Sequence, residues 1–461
     1  MKENELLLIF DIGKTNKKVL LFDRDMKVFL EEESRFGEVA DEDGFPCENA
    51  DLLESWIRTT LQRFLRSEQY RVAGINFTTY GATLVYLDQE GKRIGPVYNY
   101  LKPFPDEVLE GFFDAYGGME EFKRITASPF LGMLNSGLQL LWLKRTKPDV
   151  FRKAHQILHL PQYLSGLVHG QYVSEHTSIG CHTMLWNFDR MEYHSWLEKE
   201  HITLPDPIPV TETFPVALEG NIIEAGIGIH DSSASLAPYI LAAKKPFILV
   251  STGTWSIHMN PYNQELLTRE QLSQDCLCFL GVHGKPVKSS RFFLGRIHDL
   301  NVERLREHFF APETAYQRVD PGSGRIAELW EQGEQGCVFF RKGIPQGLVD
   351  LGVDCRRFTS FEDAYTRMMV DLTRHIVQSI RLIIAEKDTT RHLYVSGGFA
   401  RNPIFLNVLT LAFPDKQVFT SEVDNASSLG AALVIADRVW EGSADHLNLG
   451  LTSPALHHPP R

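Results

Sequence analysis

Apolar positions along the chain fall into short runs punctuated by glycine, and two of these punctuations are alike. Leu6 to Phe10 and Lys17 to Phe22, rich in aliphatic and β-branched residues, flank Asp11-Ile12-Gly13-Lys14-Thr15, a pattern that predicts a hairpin. Phe247 to Ser251 and Trp255 to Met259 flank Thr252-Gly253-Thr254 in the same way. Glycine in such a turn lets backbone N–H groups converge on an anion, and threonine adds a hydroxyl donor. Two loops of this kind, facing each other, would hold one polyphosphate between them.

The remaining pattern repeats strands and then helices in each half. A strand over Lys27 to Glu32 precedes an amphipathic helix from about Asp51 to Arg66, and strands follow at Arg71 to Thr78 and Thr83 to Leu87. In the second half, Phe361, Ala364, Met368, Leu372, Ile376, Ile380 and Ile383 form one stripe of a long helix. Then come a strand at Leu393 to Ser396, the turn Gly397-Gly398, a helix from about Asn402, a strand at Gln417 to Thr420 and a closing helix from about Ala426. Such alternation predicts α/β sheets covered by helices. The low-charge stretch Glu219 to Ala242 separates the halves, giving domains at residues 1–244 and 245–461 with the site in the cleft between them.

Composition narrows the partners. The 461 residues carry a formal net charge of -12 with no offsetting lysine or arginine cluster, which disfavours nucleic acid or an anionic membrane as partner. The N-terminal stretch lacks the pattern of a secretory leader, and no apolar run approaches the length of a membrane span. The six cysteines are scattered, and Cys276-x-Cys278 has no second pair at zinc spacing, so reduced thiols in a cytoplasmic protein are the expectation. The histidines, among them His155, His159 and His169, read as surface or packing residues, Trp255 as a core aromatic, and Asp41-Glu42-Asp43 as a solvated loop.

Four motifs in one order carry a family resemblance: D-x-G-x-T at Asp11 to Thr15, H-D at His230-Asp231, S-T-G-T-W at Ser251 to Trp255, and S-G-G-x-x-x-N at Ser396 to Asn402. Together they resemble the FGGY carbohydrate kinases, and within that family the rhamnulokinase branch, with fuculokinases next. The resemblance implies two actin/hexokinase-like (ribonuclease H-like) α/β domains and transfer of the γ-phosphate of ATP, with Mg²⁺, to a ketose. In the nearest branch the acceptor is the 1-hydroxyl of L-rhamnulose. Alternatives are L-fuculose or a pentulose, or a sugar-independent actin-like ATPase or sensor. A monomer or homodimer is expected.

The resemblance also distributes roles. Asp231 is the base that accepts the proton of the attacking hydroxyl, and His230 hydrogen-bonds the sugar; on local sequence alone Asp231 reads equally well as a helix N-cap. Thr79, Tyr80 and Gly81 would contact the ketose, although Thr78 and Tyr80 stand where that branch has aspartate and tryptophan. Asp11, at the end of the first strand, would face the metal. Gly13, Lys14 and Thr15 would meet the phosphates from one side and Gly253 and Thr254 from the other. Gly397 and Gly398 would let a flat base approach the backbone, with Asn402 as a cap, a base contact or both. Ser290 to His298 departs from the branch pattern and lacks its asparagine, and Gln139 stands where lysine is commoner.

Overall fold

A computed structural model describes residues 5–440, 442 and 447–454. Its first sheet uses β1 (Glu5–Ile12), β2 (Asn16–Phe22), β3 (Val28–Arg35), β4 (Arg71–Thr79), β5 (Thr213–Leu218), β6 (Asn221–Gly226) and β7 (Ile229–His230). The order is β5-β6-β4-β1-β2-β3, and β7 continues alongside β4 where β6 leaves it. β1 runs parallel to β4 and antiparallel to β2. It lies mid-sheet with helices on both faces, which explains its unbroken apolar run, whereas edge strand β3 alternates half-buried and exposed positions. Helix α1 (Ala50–Leu65) is capped by Asn49, whose side chain accepts from Leu52 N at 3.1 Å, and buries Leu53, Ile57 and Phe64.

A second sheet repeats the plan with β8 (Phe247–Thr252), β9 (Ser256–Asn260), β10 (Cys276–Leu280), β11 (Pro286–Phe292), β12 (His392–Gly397) and β13 (Gln417–Ser421), in the order β10-β11-β9-β8-β12-β13. The hairpin β8-β9 matches β1-β2, β11 matches β3, and β12 lies parallel to β8 as β4 lies to β1. The Ser290 to His298 stretch, unassigned by pattern, holds the end of β11 and the start of helix α3 (Leu294–Phe309), which follows α2 (Asp231–Ala242) in the chain. Helix α4 (Phe361–Arg381) is capped by Ser360 and buries the anticipated stripe from Phe361 to Ile380, while Ile383, also buried, lies in the turn after it. Helices α5 (Pro403–Ala412) and α6 (Ala426–Val439) follow it.

Helices α2 and α6 each follow the last parallel strand of a sheet and cross between the sheets. At the crossing, a Cβ on Gly430 would lie 1.8 Å from the carbonyl oxygen of Ala234, so the helix axes approach closer than any side chain there allows. Although α6 follows the second sheet in the chain, it buries Leu433 and Ile435 with Leu7, Ile9 and Leu20 of the first. Among the described residues no helix is long and apolar enough to cross a membrane.

Two expectations are corrected by burial. Asp41 is not solvated: its side chain is inaccessible and paired with buried Lys102, because the acidic turn folds under the 97–102 segment. Trp255 is not in the core; it is 42% exposed, stacked on Phe293 at 4.4 Å with the Arg291 guanidinium 5.3 Å from its ring.

Candidate active site

Three adjacent strand ends of the first sheet converge at one level. Asp11 pairs with Thr78 and Ile12 with Thr79 across β1 and β4, while Ile229 and His230 of β7 pair with Thr78 and Thr79 from the other side. Carboxyl ends of parallel strands are where α/β sheets leave room for ligands, since the chain must turn away there into loops. The ends here deliver Asp11, the Thr79-Tyr80-Gly81 turn and the His230-Asp231 pair to one wall.

Asp231 is the first residue of α2, and His230 occupies the cap position without a side-chain capping bond, so the N-cap reading of Asp231 gives way. The Asp231 carboxylate accepts from Ser232 Oγ at 3.3 Å and lies 3.3 Å from His230 Nε2. Surrounding protein strips its solvation and pushes its pKa up to about 6, although 38% of the side chain still meets the cleft. Burial holds His230 down at about 4, so the imidazole is neutral at pH 7. Its backbone is pinned by a bond from His230 N to Thr177 Oγ1 (3.1 Å), and the α2 first turn by Ser233 Oγ donating to Leu280 O (2.9 Å). Gly81 packs directly against the His230 ring, and Tyr80 N donates to Ile12 O at 3.1 Å.

Asp11 Oδ2 accepts from both Ser427 Oγ (2.7 Å) and Ser428 Oγ (2.6 Å), in the first turn of α6. Burial raises its pKa, the two hydroxyls oppose the rise, and the charge of Asp231 adds to it. Two carboxylates that repel from the strand ends of one wall suit a hard divalent cation, which prefers few carboxylates plus water and phosphate oxygens. A cation there would relieve both the burial and the repulsion.

In the Asp11 to Thr15 turn a Cβ on Gly13 would lie 2.9 Å from Asn16 O, and Thr15 is exposed. The sequence places Lys14 among the phosphate contacts. In the structure its ammonium bonds Glu38 Oε1 (2.8 Å) and lies 5.8 Å and 6.0 Å from the rings of Tyr80 and Tyr100.

The second sheet presents its own loops. Gly253 N donates to Trp255 O at 2.9 Å, closing a tight turn, and Gly295 N donates to Thr254 O at 3.1 Å, so the positive end of α3 backs this loop. A Cβ on Gly295 would lie 2.5 Å from Gly253 O. Beside it, Thr252 pairs with Gly397, Thr252 Oγ1 donates to Ser396 O (2.5 Å) and accepts from Phe399 N (3.0 Å), and Gly397 adopts φ +84°. Asn402 caps α5 by accepting from Phe405 N (3.0 Å) and donates to Tyr365 OH (2.9 Å), so the cap role is occupied while the residue also lines a cavity of about 520 Å³. His298, Tyr316 and Phe399 wall that cavity with rings, and Asp299 and Gln317 add polar edges. A neighbouring cavity of about 590 Å³ shares Gly398 and Arg401 with it and reaches Ser235 on α2.

Several of these residues escape sequence reasoning. Tyr100, Ser427, Ser428, His298 and Tyr316 carry no motif, and fold topology alone brings them to the cleft. His298 and Asp299 lie at the edge of the departing stretch, which was the one available signal.

Two α/β sheets of like topology, joined by crossing helices and each offering a glycine-threonine loop, define the fold of the two-domain carbohydrate kinases. Residues 6–205 match the model of the N-terminal domain of the FGGY family of carbohydrate kinases, and residues 244–320 that of the FGGY C-terminal domain. The chain belongs to the FGGY family. Rhamnulokinase from Halalkalibacterium halodurans is 25% identical over 266 residues, 54% of this chain and 55% of its own. Rhamnulokinase from Yersinia pestis is 26% identical over 267 residues, 54% of this chain and 53% of its own. The chain thus spans about half the length of the curated relatives it matches. Among solved structures, a carbohydrate kinase from Novosphingobium aromaticivorans superposes with a TM-score of 0.74 at 23% identity over 93% of both chains. Plasmodium falciparum glycerol kinase with ADP gives 0.67 at 14% identity over 95% of this chain and 91% of that one. At these identities the likeness shows the fold.

Proposed function

We propose that this chain transfers the γ-phosphoryl group of ATP to a hydroxyl of a ketose, with the 1-hydroxyl of L-rhamnulose as the leading acceptor. The observation that carries the reading is the His230-Asp231 pair, set beside the Tyr80-Gly81 turn and at the same level as Asp11. Phosphoryl transfer asks for an acceptor hydroxyl in line with the γ-phosphate, a group to take its proton, and shielding of the developing charge. Asp231, poised near neutrality by burial, takes the proton at its carboxylate. Neutral His230, its Nε2 3.3 Å from that carboxylate, leaves the charge of the base uncancelled and hydrogen-bonds the sugar. Backbone N–H groups of the Gly13-Lys14-Thr15 and Gly253-Thr254 loops meet the phosphates, and the ring-walled cavity at Asn402 and Gly398 takes the adenine.

Asp11, with its Ser427 and Ser428 partners, would hold Mg²⁺. When bound, that ion supplies charge neutralisation on the β- and γ-phosphate oxygens. Asp11 itself places a carboxylate at a strand end of the same wall that delivers the base.

Rhamnulokinase relatives over half the chain support the deoxyketohexose acceptor. Thr78 and Tyr80 in place of that branch's aspartate and tryptophan favour testing L-fuculose and D-xylulose beside it. A coupled ADP-release assay with MgATP and these three sugars, with the product identified, tests the reading. Acceptor-dependent ADP release with a sugar phosphate as product is expected; ADP release that no sugar stimulates would overturn it in favour of a nucleotide-driven sensor.

A further inference from the structure

Behind the acceptor wall lies a buried ion pair, Lys17 with Glu48, that no role above uses. Tyr80 OH donates to Glu48 Oε2 at 3.0 Å. The same carboxylate receives the Lys17 ammonium, 3.1 Å from Oε1 and 3.3 Å from Oε2, and Lys17 donates onward to the carbonyl of Lys14 at 3.1 Å. The Lys17 and Glu48 side chains are 2% and 5% exposed. Glu48 is fixed in turn by its backbone, whose N–H reaches Val97 O at 3.4 Å and so joins it to the segment leading to Tyr100. Tyr100 meets Tyr80 edge to face at 5.9 Å.

A buried ion pair is a poor source of net stability, because desolvating both ions offsets their attraction, and an apolar pair of like volume packs as well. What this pair does have is connectivity. One end is the Gly13 to Thr15 donor loop and the other is Tyr80, on the acceptor side. We infer that Glu48 is a positioning residue that couples the two subsites, setting the Tyr80 ring for the acceptor through its hydroxyl and the donor loop through Lys17. The inference rests on the sugar-kinase reading above.

The test is steady-state kinetics of Tyr80→Phe, Glu48→Gln and the charge-free pair Lys17→Met/Glu48→Gln, with whichever of L-rhamnulose, L-fuculose and D-xylulose the wild type turns over fastest. Tyr80→Phe deletes one hydrogen bond to a charged group, so it should raise the acceptor KM roughly tenfold or more and leave the ATP KM within twofold. Glu48→Gln should raise both constants, and combining it with Tyr80→Phe should add little further to the acceptor KM, since both act along one path. The Lys17→Met/Glu48→Gln variant leaves no unpaired buried charge and stands in if Glu48→Gln does not fold; it should also raise both. Folded variants of lower melting temperature with both KM values within twofold of wild type would overturn the inference and make the chain of bonds merely structural. A wild type that no sugar stimulates sinks the kinase reading and this inference together.

Discussion

Gly81 and His230 share one space: a Cβ on Gly81 would lie 2.5 Å from His230 Nε2 and 2.8 Å from Cδ2. The glycine is therefore required by the imidazole beside it and not by its own backbone. Gly81→Ala should turn His230 away from Asp231 and displace the base, and a misplacement of about 1 Å at the reacting groups costs roughly 100-fold in rate. Turnover of the variant under saturating acceptor and MgATP checks this; a kcat within threefold of wild type would show that the ring is free to move.

Asp231 must be ionised to take a proton, and burial has raised its pKa to about 6. Raising an acid's pKa means protonation sets in at higher pH, so kcat/KM should be level above pH 7 and fall tenfold per unit once pH drops below about 6. A pH profile without that acidic limb contradicts the assignment.

Gly397 combines φ +84° with a virtual Cβ only 1.8 Å from Thr252 O. Gly397→Ala must push β12 away from β8 at the point where both deliver their loops. The expected result is a rise of about tenfold or more in the ATP KM together with a stability loss of about 1–3 kcal/mol, measured by kinetics and by denaturant titration.

Gly430→Ala probes the helix crossing instead. Its new methyl group meets the Ala234 carbonyl, so overpacking should cost about 1–3 kcal/mol or more and lower Tm. Calorimetry on the variant checks the value, and an unchanged Tm would mean that α2 and α6 are not locked at this point.

Local pattern made much of this architecture readable. The two hairpins, the α4 stripe, the Gly397-Gly398 turn and the Asn402 cap all follow from residues within a few positions of one another. What pattern cannot supply is destination. The periodicity of α6 says helix, but nothing in it says that Ser427 and Ser428 reach back to Asp11 in the first sheet. Strands β5 and β6 and the short elements between β4 and β5 were equally hidden, because their order in the sheet is set by contacts distant in the chain. Asp41 looked solvated on an acidic, loop-rich stretch, and Lys14 was expected at the phosphates; Lys102 gave the first a partner, and Glu38 and two tyrosine rings the second. At the site, the four motifs were legible as a set, while Tyr100 and Tyr316 had no local signature and His298 only its place in the departing Ser290 to His298 stretch.

Asp231 is the proposed base of a sugar kinase. Acceptor-dependent ADP release by wild type and Asp231→Asn, with MgATP affinity measured on both proteins by calorimetry, tests it most directly. The expected result is a rate loss of about 10²–10⁴-fold or more in the variant with ATP affinity within threefold of wild type. Near-normal turnover by Asp231→Asn would contradict it.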